Sequence, residues 1–279
     1  MSGAAVAGPA AARWRELQQG RGIPPEILAA APDSPWRHNP ARFAAPEQPD
    51  DTPSRQAAVA LLGAAGGAGN PAAAGGAGNP APAGGTVLDV GCGGGAASLA
   101  VYEHARHITG LDIAEGMLAE FERAATARGV PHRTVLGSWP EAAGPAGPAD
   151  VVLCHHVGHN TVELGPFAAA LGPAARRGVV YEMYTEHPMA WMDPLWVRFH
   201  DLHRPRPATL DDALAVLAEV GITPQVQRWE RPAYDQPIED ICRRLCVSAD
   251  RADEVRAALA ELPPRRRTVA TLTWAGTAD

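Results

Sequence analysis

The chain has 279 residues, and its 24 Lys plus Arg side chains are all arginine, because no lysine occurs. That excludes Schiff-base catalysis and pyridoxal phosphate anchoring, which need a lysine amine, and a P-loop, which needs the lysine of its phosphate cradle. A formal charge of −7 with a pI near 5.8 argues against nucleic acid as a partner, since that would call for a basic stripe, and points to small molecules.

The hydrophobic share of 46% overstates the core, because 56 of those residues are Ala and only four are Phe. The cysteines Cys92, Cys154, Cys242 and Cys246 contain no C-x-x-C pair, which fits a reduced, intracellular protein. No apolar run approaches the roughly 20 residues of a membrane-spanning helix, and the opening MSGAAVAGPAAARWRE lacks the basic start and apolar stretch of a signal peptide. A soluble, cytoplasmic protein without a membrane partner is expected.

Taken in order, residues 1–65 read as an N-terminal helical cap, with short helices joined by proline-rich turns. One helix over 10–19 stops at Gly20, and another over 53–62 is opened by Thr52 and Pro53 and closed by Gly63. Residues 66–85 carry the repeat GGAGNPAAA, GGAGNPAPA, which has nothing to pack and reads as a flexible linker.

From residue 86 short apolar runs alternate with helical stretches, the pattern of β-α-β units. Strands are expected over 86–90, 107–111, 133–136, 149–154 and 177–183, with helices near 95–105, 114–128 and 161–171. A helix near 209–220, a strand near 224–230, a helical pair between 236 and 262 and a strand near 267–274 complete it. The fold class is α/β, a Rossmann-like doubly wound sheet of seven strands over 86–279, with a lid inserted at 185–208.

The segment TVLDVGCGGGAASLAV passes from a strand through Gly91, Cys92, Gly93 and Gly95. Glycines there permit a tight turn and close approach to a ligand. Gly91, Gly93 and Ala96, with Asp112 about 20 residues on, also satisfy a dinucleotide fingerprint. Charge separates the readings. Asp89, two residues before the first glycine, would repel a pyrophosphate but attract a ligand bearing an ammonium and a sulfonium, which is S-adenosylmethionine.

This stretch resembles motif I of the class I S-adenosylmethionine-dependent methyltransferases, and the resemblance continues through LDIAEGML at 111–118. It implies a mostly parallel sheet whose last strand runs antiparallel, and S-adenosylmethionine as cofactor. Asp112 would bind the ribose hydroxyls, with Ile113 and Met117 beside it. Ser138 and Trp139, after the third strand, would flank the adenine, although the family commonly has Asp where Ser138 stands.

Six of the ten histidines lie between 155 and 203, and VVLCHHVGHN leaves the fourth strand at the edge where ligands of open α/β sheets bind. His155 or His156 is the candidate general base, and in the family the residues after this strand also border the cofactor methyl, which places His155 with the cofactor set. A histidine titrates near neutrality and suits that task. Three readings stay open for the cluster: base or substrate binding, a structural role, and a metal pair of His155 and His159 with Glu163 or Cys154. No metal is assigned, since the spacing falls short of H-E-x-x-H and Gly158 interrupts a helix.

Glu182, Tyr184, Glu186 and His187 leave the fifth strand at the same edge. The lid adds Trp191, Trp196, Phe199 and His200 as surfaces and handles for an aromatic or planar acceptor, with His159 and Asn160 as further substrate contacts. Arg176–Arg177, Arg243–Arg244 and Arg265 to Arg267 read as solvated faces or helix ends. The leading function is methyl transfer from S-adenosylmethionine to an oxygen or nitrogen of a small-molecule acceptor. The alternatives are a cofactor-binding module or non-catalytic partner subunit, and an NAD-dependent oxidoreductase. Oligomeric state is not legible.

Overall fold

The computed structural model describes residues 8–37, 43–63, 84–232 and 236–279. Most of the expected linker, residues 66–83, lies outside the described residues. Seven strands form one sheet: β1 (Gly85–Val90), β2 (Ala105–Asp112), β3 (His132–Leu136), β4 (Ala149–His155), β5 (Ala175–Tyr184), β6 (Gln225–Glu230) and β7 (Thr268–Ala275), in the order β3-β2-β1-β4-β5-β7-β6. β1 to β5 pair in parallel, while β7 runs antiparallel to both β5 and β6. The central β4 is apolar on both faces, as a strand covered from both sides must be.

Alternate side chains of the strands feed two layers. On one face Leu88, Val90, Val152 and Tyr181 meet α1 (Pro9–Gln19), α5 (Ala143–Ala146), α6 (Leu164–Ala169) and α8 (Leu210–Glu219). On the other Val87, Ile108, Val151 and Leu153 meet α3 (Pro53–Gly63) and α4 (Glu115–Ala127). A third cluster around Met192, Leu195, Ile241 and Val255 joins α2 (Pro25–Ala30), α7 (Asp193–His200), α9 (Ile238–Arg244) and α10 (Ala252–Ala260). The expected lid is thus part of a small helical assembly that includes α2, α9 and α10.

Two expected helices change. In place of 95–105 there is a single 3-10 stretch, Leu99–His104, because Ser98 is tied to Asp89, Val101 is kinked out of helical geometry, and β2 begins at Ala105. The helix expected over 161–171 is confined to α6, followed by a 3-10 turn at Gly172–Ala174.

The N-terminal helices are built into the core. Trp14 is fully buried, and its indole N–H donates to the Thr161 carbonyl at 2.8 Å. The free N–H groups at the start of α1 would lack partners, and the Glu219 carboxylate of α8 accepts from Ala10 N and Ala11 N at 2.6 and 2.9 Å. α8 itself opens with a capping box of Thr209 and Asp212. Trp14→Ala should therefore destabilise the whole fold by about 3–5 kcal/mol, against about 1 kcal/mol for Thr209→Ala. Denaturant midpoints check both, and an unchanged midpoint for Trp14→Ala would show that α1 is dispensable to the core.

Candidate active site at the carboxyl edge of the sheet

After β1 the chain reverses within hydrogen-bonding reach of β2: Gly91 N and Cys92 N both donate to the Leu111 carbonyl, at 2.8 and 3.0 Å. Gly91 and Gly93 adopt φ of 71° and 52°, and a Cβ on Gly91 would lie 2.4 Å from Val157 Cγ2. Asp112, at the end of β2, accepts from Gly93 N with one carboxylate oxygen and from Ala114 N with the other, each at 2.9 Å. Each oxygen keeps a second acceptor position, so the carboxylate is fixed by the loop and still able to bind hydroxyls.

Asp89 differs from the open carboxylate expected at the crevice. It is buried, and its Oδ2 accepts from Ser98 Oγ at 2.6 Å and Ser98 N at 3.3 Å. Burial pushes its pKa up against the pull of Ser98 and His155. The residue borders the cavity while bracing the loop from beneath.

That cavity measures about 970 Å³, room for a cofactor and an acceptor together. Asp89, Gly91, Cys92, Gly93, Asp112, Ile113, Met117, Ser138, Trp139, His155 and His156 all line it. Gly95 does not. It packs against Leu99 and Phe121, and its part is the turn, at φ 87°. Trp139 is anchored by its indole N–H to the Phe167 carbonyl at 3.0 Å. Burial, with Asp89 and Asp112 nearby, pushes the Cys92 thiol far up, so Cys92 contributes an apolar wall.

At the far side of the cavity lies Glu182, 3% exposed. Its Oε1 is 2.8 Å from His156 Nε2 and 3.4 Å from Arg231 Nη1, and its Oε2 is 3.9 Å from His155 Nδ1. Burial opposes the charge, yet His155, His156 and Ser54 hold the carboxyl well below the usual carboxylate range. His156 adopts φ 63°, a conformation a non-glycine residue keeps only where its surroundings enforce it; its N–H donates to the Glu182 carbonyl at 2.7 Å and its ring stacks on Tyr184 at 4.7 Å. Burial pushes His155 down, Glu182 and Asp89 notwithstanding. His155 Nε2 and His156 Nδ1 are buried without hydrogen-bond partners.

The remaining expected residues divide. His159, His187 and Trp196 line a second cavity of about 260 Å³, and Asn160 lines both. Glu186, Trp191 and His200 line neither cavity. Glu186 is exposed and bridges to Thr209, Trp191 lies under the Arg265 guanidinium at 4.0 Å, and His200 Nε2 donates to the Leu245 carbonyl at 2.6 Å. The metal alternative loses its parts: Glu163 is held by Arg15 at 2.6 and 2.7 Å on the surface, and among the described residues no group of three or more His, Cys, Asp or Glu is placed to hold a metal ion.

Sequence reasoning named as site residues neither those of the proline-rich strap over 43–52 and the start of α3 nor two arginines. Ala44 bridges to Gly94 and Gly95, and with Phe43, Pro46 and Ser54 it walls the large cavity. Arg231 and Arg267 reach the cavity as well, Arg267 donating to Tyr184 Oη and to the Pro232 carbonyl. Arg267 therefore corrects the reading of that run as a solvated face. Neither arginine carried a local signal, because their placement depends on the antiparallel return of β7.

Residues 87–176 match a family model described as a methyltransferase domain. A loop that a Cβ would close and a carboxylate with free acceptor positions fit a ligand that brings hydroxyls close to the backbone. The chain is similar to a candidate methyltransferase structure from Bacillus halodurans, with 16% identity and a TM-score of 0.51 over 68% of this chain and 91% of that one. It is also similar to the YcgJ protein of Bacillus subtilis, with 18% identity and a TM-score of 0.48 over 68% and 90%. A third similar structure is the magnesium protoporphyrin IX methyltransferase of Synechocystis with S-adenosylhomocysteine bound, with 16% identity and a TM-score of 0.42 over 67% and 72%. No curated protein matches the chain by sequence. Among the described residues no helix is long and apolar enough to cross a membrane.

Asp112→Ala should weaken S-adenosylhomocysteine binding by about 2 kcal/mol, roughly thirtyfold, by calorimetry. Acid should destabilise the fold through two buried histidines. Burial and His187 push His159 down from 6.5 to about 3, and burial with Arg21 and Arg204 pushes His187 down from 6.5 to about 4. Both are neutral in the folded state where the unfolded chain takes up protons. Their stabilisation is therefore complete above about pH 6.5 and is lost as the pH falls toward 4, a slope that urea midpoints should show and that His187→Gln should flatten.

Proposed function

We propose that the protein transfers the methyl group of S-adenosylmethionine to an oxygen or nitrogen of a small molecule, with His156 as general base and Glu182 as its orienting carboxylate. The observation that carries this reading is the Glu182–His156 pair, because His156 lines the glycine-loop cavity and its other nitrogen, Nδ1, is buried without a hydrogen-bond partner. The tautomer is assigned from the contacts. Glu182 Oε1 at 2.8 Å and Arg231 Nη1 at 2.7 Å both meet His156 Nε2, and a base at Nδ1 requires that Nε2 carry its proton toward Glu182, with the Arg231 guanidinium turned to the same carboxylate.

When bound, the cofactor supplies an electrophilic methyl group on a sulfonium. The chain's own residues do the rest. The glycine loop and Asp112 hold one partner, Trp139 and the strap segment exclude water, and the histidine wall orients the other. As the acceptor's O–H or N–H loses its proton, His156 Nδ1 takes it, and the imidazolium that forms is stabilised by Glu182. His155, pushed down by burial, supports this as a neutral wall.

The test is transfer of label from methyl-labelled cofactor to a panel of phenols, amines and carboxylic acids. His156→Ala should lower kcat by about 10²–10⁴-fold while leaving the affinity for S-adenosylhomocysteine unchanged. Cofactor binding with no transfer to any acceptor class would favour the non-catalytic module instead, and an unaltered kcat in His156→Ala would remove the base assignment.

A further inference from the structure

The second cavity is cationic, whereas carboxylates and guanidiniums mix in the first. Arg21, Arg204 and Arg244 line it, and among the described residues no Asp or Glu does. Arg21 is matched by Asp193 at 2.6 Å. The Arg204 guanidinium carbon lies over the Trp196 ring, 4.0 Å from its centroid, and its Nε is buried without a hydrogen-bond partner. Burial and the charge of Arg21 push Arg204 down to about 10, against the pull of Asp193, so a second anion beside it would be stabilising. A stacked guanidinium presents its N–H edge sideways, the geometry that suits a carboxylate or phosphate.

His159 adds a second demand. It is 3% exposed, its Nε2–H donates to the Tyr184 carbonyl at 3.0 Å, and its Nδ1 therefore carries a lone pair that meets no donor. His187 Nδ1 is already satisfied by Met189 N at 3.1 Å. A ligand that answers both unpartnered atoms brings an acceptor for Arg204 and an O–H or N–H for His159. Trp36, Trp196, Met189 and Met192 supply apolar wall around these groups, which favours an organic acid over a free, hydrated phosphate.

The two cavities adjoin. Asn160 lines both, and His156, Tyr184, His159 and His187 form a continuous row of rings, with centroids 4.7, 6.4 and 5.5 Å apart. We propose that the second cavity seats the carboxylate end of the acceptor, bound by Arg204 with a neighbouring hydroxyl or N–H on His159, while the acceptor's nucleophile faces His156. The substrate class is then a small organic acid methylated at a group separate from its carboxylate. This rests on the methyl-transfer reading for the role of the site, but the anion site can be tested without it.

Mandelate serves as the probe, since it joins a carboxylate, an adjacent O–H and an apolar ring. Titrated into the full chain holding S-adenosylhomocysteine, mandelate should bind at least tenfold more tightly than the neutral mandelamide and more tightly than phenylacetate, which lacks the hydroxyl. Arg204→Gln should abolish the preference for mandelate over mandelamide, Arg204→Lys should keep part of it, and both should bind S-adenosylhomocysteine as the parent chain does. Equal binding of mandelate and mandelamide, or an Arg204→Gln protein that still discriminates, would overturn the proposal. Tighter binding of inorganic phosphate than of mandelate would overturn the carboxylate assignment. Should Arg204→Gln fail to fold, the mandelate-to-mandelamide ratio of the parent chain and of Arg204→Lys decides. Failure of S-adenosylhomocysteine to bind at all would instead sink the methyl-transfer reading, and the mandelate ratio without it would still decide the anion site.

Discussion

A carboxylate that is 3% exposed must be matched by positive charge or hydrogen-bond donors, or its burial would cost several kcal/mol, and Glu182 at the end of β5 imposes that requirement on its whole neighbourhood. His155 and His156 come from the end of β4, Arg231 from the residue after β6, and Ser54 from α3. Ser54 is also hydrogen-bonded to Thr271 of β7 at 2.7 Å, and Thr271 accepts from Trp229 of β6 at 3.0 Å. One acidic group thus ties together three strands, the chain after a fourth, and a helix from the N-terminal region. The unusual backbone of His156 follows from it, because only a left-handed turn there lets the backbone N–H and the ring both reach Glu182.

The absence of lysine acquires a structural meaning beside its chemical one. Guanidinium groups repeatedly serve as clamps on backbone carbonyls in the last turns of helices and in the loops beside them. Arg128 binds Ala124, Ala45 and Pro46, Arg177 binds Leu61 and Leu62, Arg133 binds Pro145 and Ala146, and Arg55 binds Ala100. A fork with several donors can hold two carbonyls at once, which a single ammonium does less well. Arg128 and Arg55 use this to fasten the strap between residues 43 and 63 over the glycine loop, so the roof of the large cavity hangs on them.

What the sequence made legible was set by local signals. Short apolar runs announced the seven strands, and glycines followed by an acid at Asp112 announced the loop, because turn geometry and strand periodicity are properties of neighbouring residues. His155 and His156 could be placed at the edge because β4 ends there. Which of them meets a carboxylate could not be read, since Glu182 arrives from another strand and the angle of its approach depends on the β4–β5 register. Trp191 and Trp196 look alike in sequence, yet only Trp196 faces a cavity. Packing among α2, α7, α9 and α10 decides that, and no periodicity within 189–207 encodes it. Arg231 was silent for the same reason.

The charges of the two cavities divide the work between them. Asp50, Asp89, Asp112 and Glu182 share the large cavity with Arg55, Arg231 and Arg267, whereas the small one is lined by arginine and neutral histidine. A cationic group is repelled by the second cavity, and an anionic group is drawn to it. A molecule carrying its own negative end would then be oriented before any close contact forms, its charged end toward Arg204 and its other end toward the histidine wall. Orientation of this kind is the main task left to a protein in an in-line displacement, where alignment rather than bond polarisation governs the barrier.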